Sequence, residues 1–304
     1  MKTSVAVCIA TYKRPEGIRA LLKSINHLVF EKNEEPDLEV VVVDNDAPGS
    51  AHAAIEEIRQ EFKWSLKYVV EPQRGVTYAR NRSVAEASER VQFIAFVDDD
   101  EVVSTYWMDE LLSSYHAGQA HIVAGPVYPK FESKQVPAWV LKGGFFEPPS
   151  HPAGTSLDAA FTNNVLVNAD CLRELDTVFD ARFAIKGSED THLFMRLRKL
   201  GAKIVWADAA IVYESVPSSR TSFAWLRSRA YWGWSSFSLF EKEIYPSFQI
   251  QLLRFLKGCV LIVYGVLCII PSVFIGKHQL YKSILNFYKG VGTLSGLFGI
   301  MGSW

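Results

Sequence analysis

The feature that most constrains the fold is a regular alternation of short apolar runs and helical patterns over the first 100 residues. The apolar runs are VAVCIA from Val5, LEVVVVD from Leu38, LKYVVE from Leu66 and FIAFV from Phe93. Helical patterns occupy about 16–28, 51–62 and 76–89 between them. Continuous β-branched runs without polar alternation are typical of strands covered on both faces. The sequence therefore predicts a βαβ series with a parallel sheet.

Composition limits the classes of protein to which the chain can belong. With 304 residues and 49% hydrophobic content it can bury a sizeable core, and 32 basic against 33 acidic residues argue against a nucleic-acid binder. The four cysteines form no CxxC pair, so neither a zinc site nor a disulfide framework is predicted. The first apolar run is too short for a signal peptide, and we expect the N-terminal part to stay in a reducing cytoplasm.

Polar residues gather where three of the predicted strands end. The first strand is followed by Thr11 to Arg14, the second ends at Asp44, and the fourth runs into Asp98, Asp99, Asp100 and Glu101. In open parallel sheets, ligands bind beyond these carboxyl ends. Asp44 fits a helix cap or Asx-turn as well as a functional role. The adjacent aspartates repel one another, which favours a Mg²⁺ or Mn²⁺ ion whose shell is completed by substrate phosphates.

A second acidic motif opens a helical pattern near position 190. In GSEDTHLFMRLRKLG, from Gly187, the apolar residues Leu193, Phe194, Leu197 and Leu200 share one predicted face. Glu189 and Asp190 fall in the first turn, where acids complement the helix dipole. The residues alone therefore favour simple helix capping over catalysis.

The order of these motifs resembles that of the family 2 glycosyltransferases with the GT-A fold. The matching stretches, over about residues 1–240, are VAVCIATYKRPEGIRALLKSI, VVVDND, QRGVTYARNRSVAEA, FVDDDE, FTNNVLVNADCL and KGSEDTHLFMRLRKLGAKIVWADAAIVYE. Within the family, the chain resembles bacterial glucosyltransferases of the succinoglycan type. The resemblance implies a GT-A, Rossmann-like mixed sheet that is mostly parallel and flanked by helices.

The resemblance also implies a binding site for the donor. Thr11 and Asp44 would hold the nucleotide base, and Arg80 would lie in the donor pocket. The DxD motif of the family would fall on 98–100, with Asp98 and Asp100 as metal ligands and Asp99 and Asp98 also near the nucleotide. Tyr12 and Arg14 would contact the donor beside Thr11. The implied cofactor is Mn²⁺ or Mg²⁺, and the favoured donor is a UDP-sugar, with glucose first.

By the same resemblance, Asp190 is the general base of an inverting, single-displacement transfer to an acceptor hydroxyl. Glu189 is expected to bind the acceptor or a nearby arginine. Arg220 is a candidate for the leaving diphosphate, whereas Glu214 stands where family members often have a histidine. Donor selectivity is expected from pocket residues such as Gly125, Asn163 and Asn164.

The composition of the last third of the chain indicates contact with a membrane. An aromatic-rich stretch, 223–240, is either a helix packed on the core or an interfacial element. Residues 259–276 carry no charge over 18 positions, which fits a span, a re-entrant hairpin, an interfacial anchor or a buried helix. A weaker apolar segment, 284–302, contains Gly292 and Gly296 at close-packing spacing. Pro271 would kink a span.

We therefore predict a glycosyltransferase domain over 1–240, with halves 1–130 and 131–240, and a membrane-associating helical region over 241–304. The expected partners are a nucleotide sugar, a glycan or lipid-linked oligosaccharide acceptor and a membrane, with the enzyme on the cytoplasmic face of the bacterial inner membrane. The alternatives are a nucleotidyltransferase, which would need a glycine-rich loop that ATYKRPEG lacks, and a non-catalytic sugar-nucleotide scaffold, which would have lost one acidic motif.

Overall fold

A computed structural model describes residues 2–302 of the chain. The strands are β1 Ser4–Thr11, β2 Asp37–Asp44, β3 Ser65–Val70, β4 Phe93–Phe96, β5 Glu101–Val103, β6 Ile122–Ala124, β7 Val127–Phe131, β8 Ser156–Leu157, β9 Val165–Asn168, β10 Ile204–Trp206 and β11 Val212–Val216. The helices are α1 Pro15–Asn26, α2 His52–Arg59, α3 Val76–Glu86, α4 Trp107–Gly118, α5 Ala138–Gly143, α6 Ala169–Arg173, α7 Glu189–Lys199, α8 Phe223–Ile244, α9 Phe248–Ile275 and α10 Lys277–Leu297.

The main sheet has eight strands in the order β3-β2-β1-β4-β9-β6-β10-β8. The four N-terminal strands pair in parallel, as predicted, whereas β9 is antiparallel to both of its neighbours. The sheet is therefore mixed, with the parallel block that the apolar runs indicate. A three-stranded sheet has the order β5-β11-β7.

The core lies on both faces of the main sheet. Along β1, Val5, Val7 and Ile9 belong to one buried cluster, and Ala6 and Cys8 belong to another. Side chains alternate across a strand, so a run that is apolar at every position needs cover on both sides. Helix α1 supplies part of that cover with its buried residues Ile18, Leu21, Leu22 and Ile25, which recur at helical spacing behind a Pro at the helix start.

One residue of the apolar face predicted for the second acidic motif is assigned wrongly. Leu193, Phe194 and Leu197 are buried in α7, but Leu200 follows the end of that helix and is 64% exposed. The helix ends at Lys199 because the chain turns at Gly201, whose φ of 97° lies in the region that favours glycine. Three apolar residues therefore anchor the helix that carries the second acidic motif.

The chain divides into two compact units that differ in charge. The first comprises residues up to 129, 148–185 and 189–214, and the second comprises 130–147, 186–188 and 215 onward. The first contains 19 Lys and Arg against 29 Asp and Glu, a formal charge of −10, and the second contains 13 against 4, a charge of +9. Together they give the −1 of the whole chain. The predicted division into 1–240 and 241–304 stays a prediction.

The second unit is built around three long helices. Gly292 and Gly296 of α10 lie against the backbone of α8, as their spacing predicts, since a Cβ on either would come within 2.5 Å of a carbonyl oxygen of Tyr231 or Ser235. Helix α9 runs 28 residues with Pro271 inside it and is long and apolar enough to cross a membrane. Within the described residues it is the single helix that meets this criterion.

Candidate functional site

The acidic loop after β4 is held by groups from the end of β1. Asp99 accepts hydrogen bonds from the Thr11 hydroxyl at 2.8 Å and from Arg14 Nη1 at 2.7 Å, and its side chain is buried. Burial raises the pKa of Asp99, and the charge of Arg14 and the bond from Thr11 oppose this shift. Arg14 also lies 3.0 Å from Asp100 Oδ2. One guanidinium therefore offsets the repulsion between two of the three aspartates.

Arg80 joins the two acidic motifs. From α3, its Nη2 donates to Asp98 Oδ1 at 2.6 Å and its Nη1 donates to Glu189 Oε1. The side chain is buried, which by itself lowers the pKa of the guanidinium, but the charges of Asp98 and Glu189 raise that pKa above its usual value. Arg80 thus stays charged and brings together carboxylates that lie 91 positions apart in the sequence.

The two acids of α7 have different surroundings. Glu189 is 3% exposed, and its Oε2 is buried without a hydrogen-bond partner among the described residues. Burial raises the pKa of Glu189 to about 7, with the charge of Arg80 opposing and that of Asp190 adding to the shift. Asp190 is half-buried and accepts the Thr191 N–H at 2.6 Å through Oδ1. Burial also raises its pKa. Asp190 is therefore the more accessible carboxylate of the pair.

The residues that lead into α7 belong to the second unit. Trp232 Nε1 of α8 donates to the carbonyl of Lys186 at 2.9 Å. Ser188 is buried and has a φ of 67°, a left-handed conformation that costs about 1 to 2 kcal/mol for a residue other than glycine. Helix α8 therefore fixes the segment that directly precedes Glu189.

Asp44 lies fully buried at the end of β2. Its carboxylate accepts the N–H groups of Asp46 at 3.0 Å and Ala51 at 2.7 Å, and the Tyr68 hydroxyl at 3.0 Å. The bond from the residue two positions ahead is that of an Asx-turn, so the structural interpretation of Asp44 is realised. Its contact with a nucleotide base stays a prediction.

Sequence reasoning missed two features near the site. The first is Arg74, whose guanidinium lies 5.5 Å from the centroid of the predicted donor contact Tyr12. The Tyr12 ring is 37% exposed and has Lys13 Nζ at 5.2 Å from its centroid. Arg74 stands in the quoted QRGVTYARN stretch, but nothing in its spacing indicates a contact with Tyr12. An exposed aromatic ring with two cations close by suits a nucleobase and a phosphate as neighbours.

The second missed feature is Glu101, which is 2% exposed and accepts the backbone N–H of Asp98 at 2.8 Å. Burial raises its pKa well above the usual value, and the charge of Asp98 and that of Glu214, its partner across the β5–β11 pair, add to the shift. Glu101 therefore fixes the backbone of the acidic loop. The run of four acids contains this residue but does not separate it from its neighbours.

Asn164 was predicted to contact the donor sugar, and Arg220 was predicted to contact the diphosphate. Asn164 is buried, accepts the Trp107 indole N–H at 2.8 Å and donates to the carbonyls of Pro126 and Ala210. Its amide therefore serves the scaffold. Arg220 lies in a short 3-10 helix, Ser218–Thr221, of the second unit, and its role stays a prediction.

The acidic loop fits a divalent ion only in company with other ligands. The described residues contain no group of three His, Cys, Asp or Glu side chains arranged to hold a metal. Asp98 is 37% exposed and engages Arg80 through Oδ1, and Asp100 is 16% exposed. One or two carboxylates completed by phosphate oxygens is the usual arrangement for Mg²⁺ at phosphorylated substrates. The residues present therefore suit an ion that arrives with a diphosphate.

Comparison with known sequences decides the family. The glycosyl transferase family 2 profile matches residues 6–172, and the profile of glycosyl transferase family group 2 matches residues 93–291. The chain belongs to glycosyl transferase family 2. This glycosyltransferase is 32% identical over 227 residues to the succinoglycan biosynthesis protein ExoM of Rhizobium meliloti, covering 75% of this chain and 72% of ExoM. The family predicted from the motifs is confirmed.

Solved structures share the fold of this glycosyltransferase. The mannosyltransferase PcManGT of Pyrobaculum calidifontis, in complex with GDP-Man and Mn²⁺, superposes with a TM-score of 0.67 at 16% identity, covering 98% of this chain and 88% of the other. TarS 1-349 of S. aureus, in complex with UDP, gives 0.53 at 17% identity, covering 99% and 92%. The predicted mixed α/β sheet of the GT-A type is thereby confirmed.

Proposed function

We propose that the protein is an inverting glycosyltransferase that moves a hexose from a nucleotide sugar to a glycan acceptor. The observation that carries this proposal is Arg80, which binds Asp98 of the acidic loop and Glu189 of the second motif at once. A glycosyltransferase needs a donor diphosphate beside a base for the acceptor hydroxyl, and this bridge joins candidate residues for both. Membership of the family removes the case for a nucleotidyltransferase.

Asp190 is the base in this proposal. Its half-buried carboxylate takes the proton of the acceptor hydroxyl while the hydroxyl oxygen attacks the anomeric carbon and the bond to the diphosphate breaks. One displacement inverts the anomeric configuration. The pKa of Asp190, raised by burial, brings the carboxylate closer to the strength that a base needs near neutral pH. Glu189, paired with Arg80, stabilises the arginine and orients the first turn of α7.

Asp98 and Asp100 would hold the metal ion, Mn²⁺ or Mg²⁺. When bound between the loop and the diphosphate, such an ion would offset the negative charge that develops on the leaving group. Arg14 holds Asp99 and Asp100 in place, and Thr11 shares that task. Thr11 and Asp44 are the proposed contacts of the base, with Tyr12 beside them as a further contact of the donor. The complexes of the two structural neighbours with UDP and with GDP-Man and Mn²⁺ support a nucleotide sugar as donor.

The acceptor in this proposal is a lipid-linked oligosaccharide of exopolysaccharide synthesis. The name of the 32% identical relative, a succinoglycan biosynthesis protein, supports this pathway. The exposed apolar helix α9 supports an acceptor at a membrane, and we infer that the enzyme works on the cytoplasmic face of the bacterial inner membrane. UDP-glucose is the first donor to test.

The test is a panel of sugar nucleotides offered to the purified protein with Mn²⁺, with Mg²⁺ or with a chelator, scoring release of nucleoside diphosphate with and without a membrane lipid extract. Release from one donor that needs both metal and extract is expected. The anomeric configuration of the product, measured by NMR, should be opposite to that of the donor.

Two variants control the panel. Asp190→Asn should abolish release, whereas Asp170→Asn, which removes an exposed acid of the first unit, should leave it unchanged. A folded protein that binds a sugar nucleotide but releases no diphosphate would instead support the non-catalytic scaffold, and one that neither binds nor turns over any sugar nucleotide would overturn the transferase proposal.

A further inference from the structure

Helices α9 and α10 form one tightly packed hairpin. Only Gly276 separates them, and Gly258 of α9 faces Gly290 of α10 while Gly265 faces Phe287, so the helices run antiparallel. A Cβ at Gly265 would come within 2.6 Å of the Phe287 nitrogen, and one at Gly290 within 2.6 Å of the Gly258 oxygen. The backbones are in contact, and the two helices enter or avoid a membrane together.

The outer face of α9 is apolar and exposed. Only 17% of its most apolar 18-residue window is buried, and no other described segment covers this face. The exposed apolar side chains along it are Phe248, Leu252, Leu253, Phe255, Leu256, Val260, Val263, Tyr264, Val266, Leu267, Ile270, Val273, Phe274 and Ile275. A surface of this size needs an apolar environment.

Helix α10 carries groups that a membrane interior excludes. It begins with Lys277 and His278 and continues with Lys282, Asn286 and Lys289. If α9 crossed the bilayer, the packed hairpin would carry α10 back through it. Asn286 and Lys289 would then lie near the centre, and Lys282 would also lie within the hydrocarbon, where lysine is costly. The composition of α10 therefore opposes a crossing by either helix.

Basic residues mark the side of the hairpin that meets α8. Lys257 Nζ lies 5.1 Å and Lys289 Nζ lies 5.8 Å from the ring centroid of Trp234. No described carboxylate forms an ion pair with either ammonium, whereas Arg254 one turn before Lys257 is paired with Glu241. Two lysines around one indole, in a unit of charge +9, fit the phosphate level of a lipid surface.

We propose that the α9–α10 hairpin enters only one leaflet of a bilayer rich in anionic phospholipid. The outer face of α9 lies among the acyl chains, and Lys257 and Lys289 bind lipid phosphates beside Trp234. This inference rests on the proposed membrane location of the enzyme and adds to it the topology and the lipid class. An interfacial helix of this kind inserts its apolar face by about 5 to 10 Å.

The topology test labels the turn of the hairpin. Lys277→Cys and, as a control at the start of α9, Ser247→Cys are made in a background with Cys171, Cys259 and Cys268 replaced by Ser. The proteins are added to preformed vesicles and treated with a membrane-impermeant maleimide. Labelling of both positions without detergent is expected. Protection of position 277 until detergent is added, with 247 labelled, means that the hairpin crosses and overturns the proposal.

The lipid test compares flotation with vesicles of neutral phosphatidylcholine and with vesicles containing phosphatidylglycerol. Binding should favour the anionic vesicles and weaken with salt, and Lys257→Met with Lys289→Met should reduce it by about fivefold per lysine. Lys23→Met on α1 and Lys257→Arg should bind as the unchanged protein does. Equal binding to both vesicles, or no loss in the double variant, overturns the assignment of the lipid.

Diphosphate release is measured in the same samples. Release by a protein that floats with neither vesicle sinks the membrane inference and leaves the transferase proposal standing. Flotation without release from any donor supports the membrane inference and overturns the transferase proposal.

Discussion

The two compact units have opposite net charge and differ in how their charged side chains are paired. The first, at −10, neutralises its clustered acids with arginines: the exposed Arg14 pairs with Asp99 and Asp100, and the buried Arg80 pairs with Asp98 and Glu189. The second, at +9, leaves an apolar helix face exposed and holds Lys257 and Lys289 against an aromatic ring, with no described carboxylate in an ion pair with either lysine. The net charge of the whole chain, −1, does not reveal the opposite charges of the two units.

This difference suggests that the first unit carries the proposed catalytic residues and that the second carries the proposed membrane contacts. Internal ion pairs preorganise charge where a bond is made and broken, because their geometry does not depend on solvent rearrangement. Unpaired surface cations act at longer range and are screened by salt. Changes in the first unit should therefore alter rate and stability, and changes in the second should alter attachment to lipid.

The largest expected effect is that of Asp190→Asn on catalysis. Removing the base should lower kcat by about 100- to 10,000-fold, while flotation with vesicles stays unchanged. Steady-state kinetics and flotation on one preparation check both statements. If kcat falls by less than tenfold, Asp190 is not the base, and the comparison then needs Glu189→Gln in its place.

Arg80→Ala should be the most destabilising change. It leaves Glu189 buried without its cation, and breaking a buried ion pair typically costs about 3 to 5 kcal/mol. Arg80→Lys keeps the charge but loses the fork that reaches two carboxylates, so an intermediate loss is expected. Chemical denaturation gives the values. Arg59→Ala, which removes an exposed ion pair with Glu56, should cost less than about 1 kcal/mol, and a similar cost for Arg80→Ala would contradict the bridge.

Glu189→Gln should change how stability depends on pH. Because folding raises the pKa of Glu189 to about 7, the folded state holds a proton between about pH 4.5 and 7 that the unfolded state has lost. The contribution to stability is present below pH 4.5 and is lost as the pH rises through 7, by up to about 3 kcal/mol. The variant should lack this loss. The unfolding free energies of the two proteins, measured from pH 4 to 8, should differ by the smallest amount at pH 4 and diverge as the pH rises through 7. Parallel curves would refute the assignment.

The smallest expected effect lies in the second unit. Leu267→Gln, at a position that is 69% exposed, should weaken binding to vesicles by roughly tenfold because an apolar side chain no longer leaves water. Folding in the absence of lipid should not change. Leu200→Gln is the matched control, since Leu200 is 64% exposed in the first unit. Equal effects of the two variants on flotation would contradict the claim that the second unit, and not the first, contacts the lipid.

Much of the first unit could be predicted from the sequence because its signals are local. The apolar runs and the helical spacing indicated the parallel strands β1 to β4 and the helices between them, and the ends shifted by a few residues. The end of α7 was predicted one residue too late, because the apolar pattern continues to Leu200 while the chain already turns toward Gly201.

The partners of the acids could not be predicted because they depend on distant residues. The repulsion among Asp98, Asp99 and Asp100 predicted a cation, but the sequence does not indicate that Arg14 and Arg80 supply positive charge there. The split of the chain into units of opposite charge is equally hidden, since the second unit collects three separate segments. The roles of the individual site residues stay predictions.

The bond from Trp232 to Lys186 has a consequence for the backbone that follows Lys186. Helix α8 holds the segment 186–188, in which Gly187 and Ser188 both have a left-handed conformation. The indole N–H of α8 therefore offsets part of the cost of this backbone conformation.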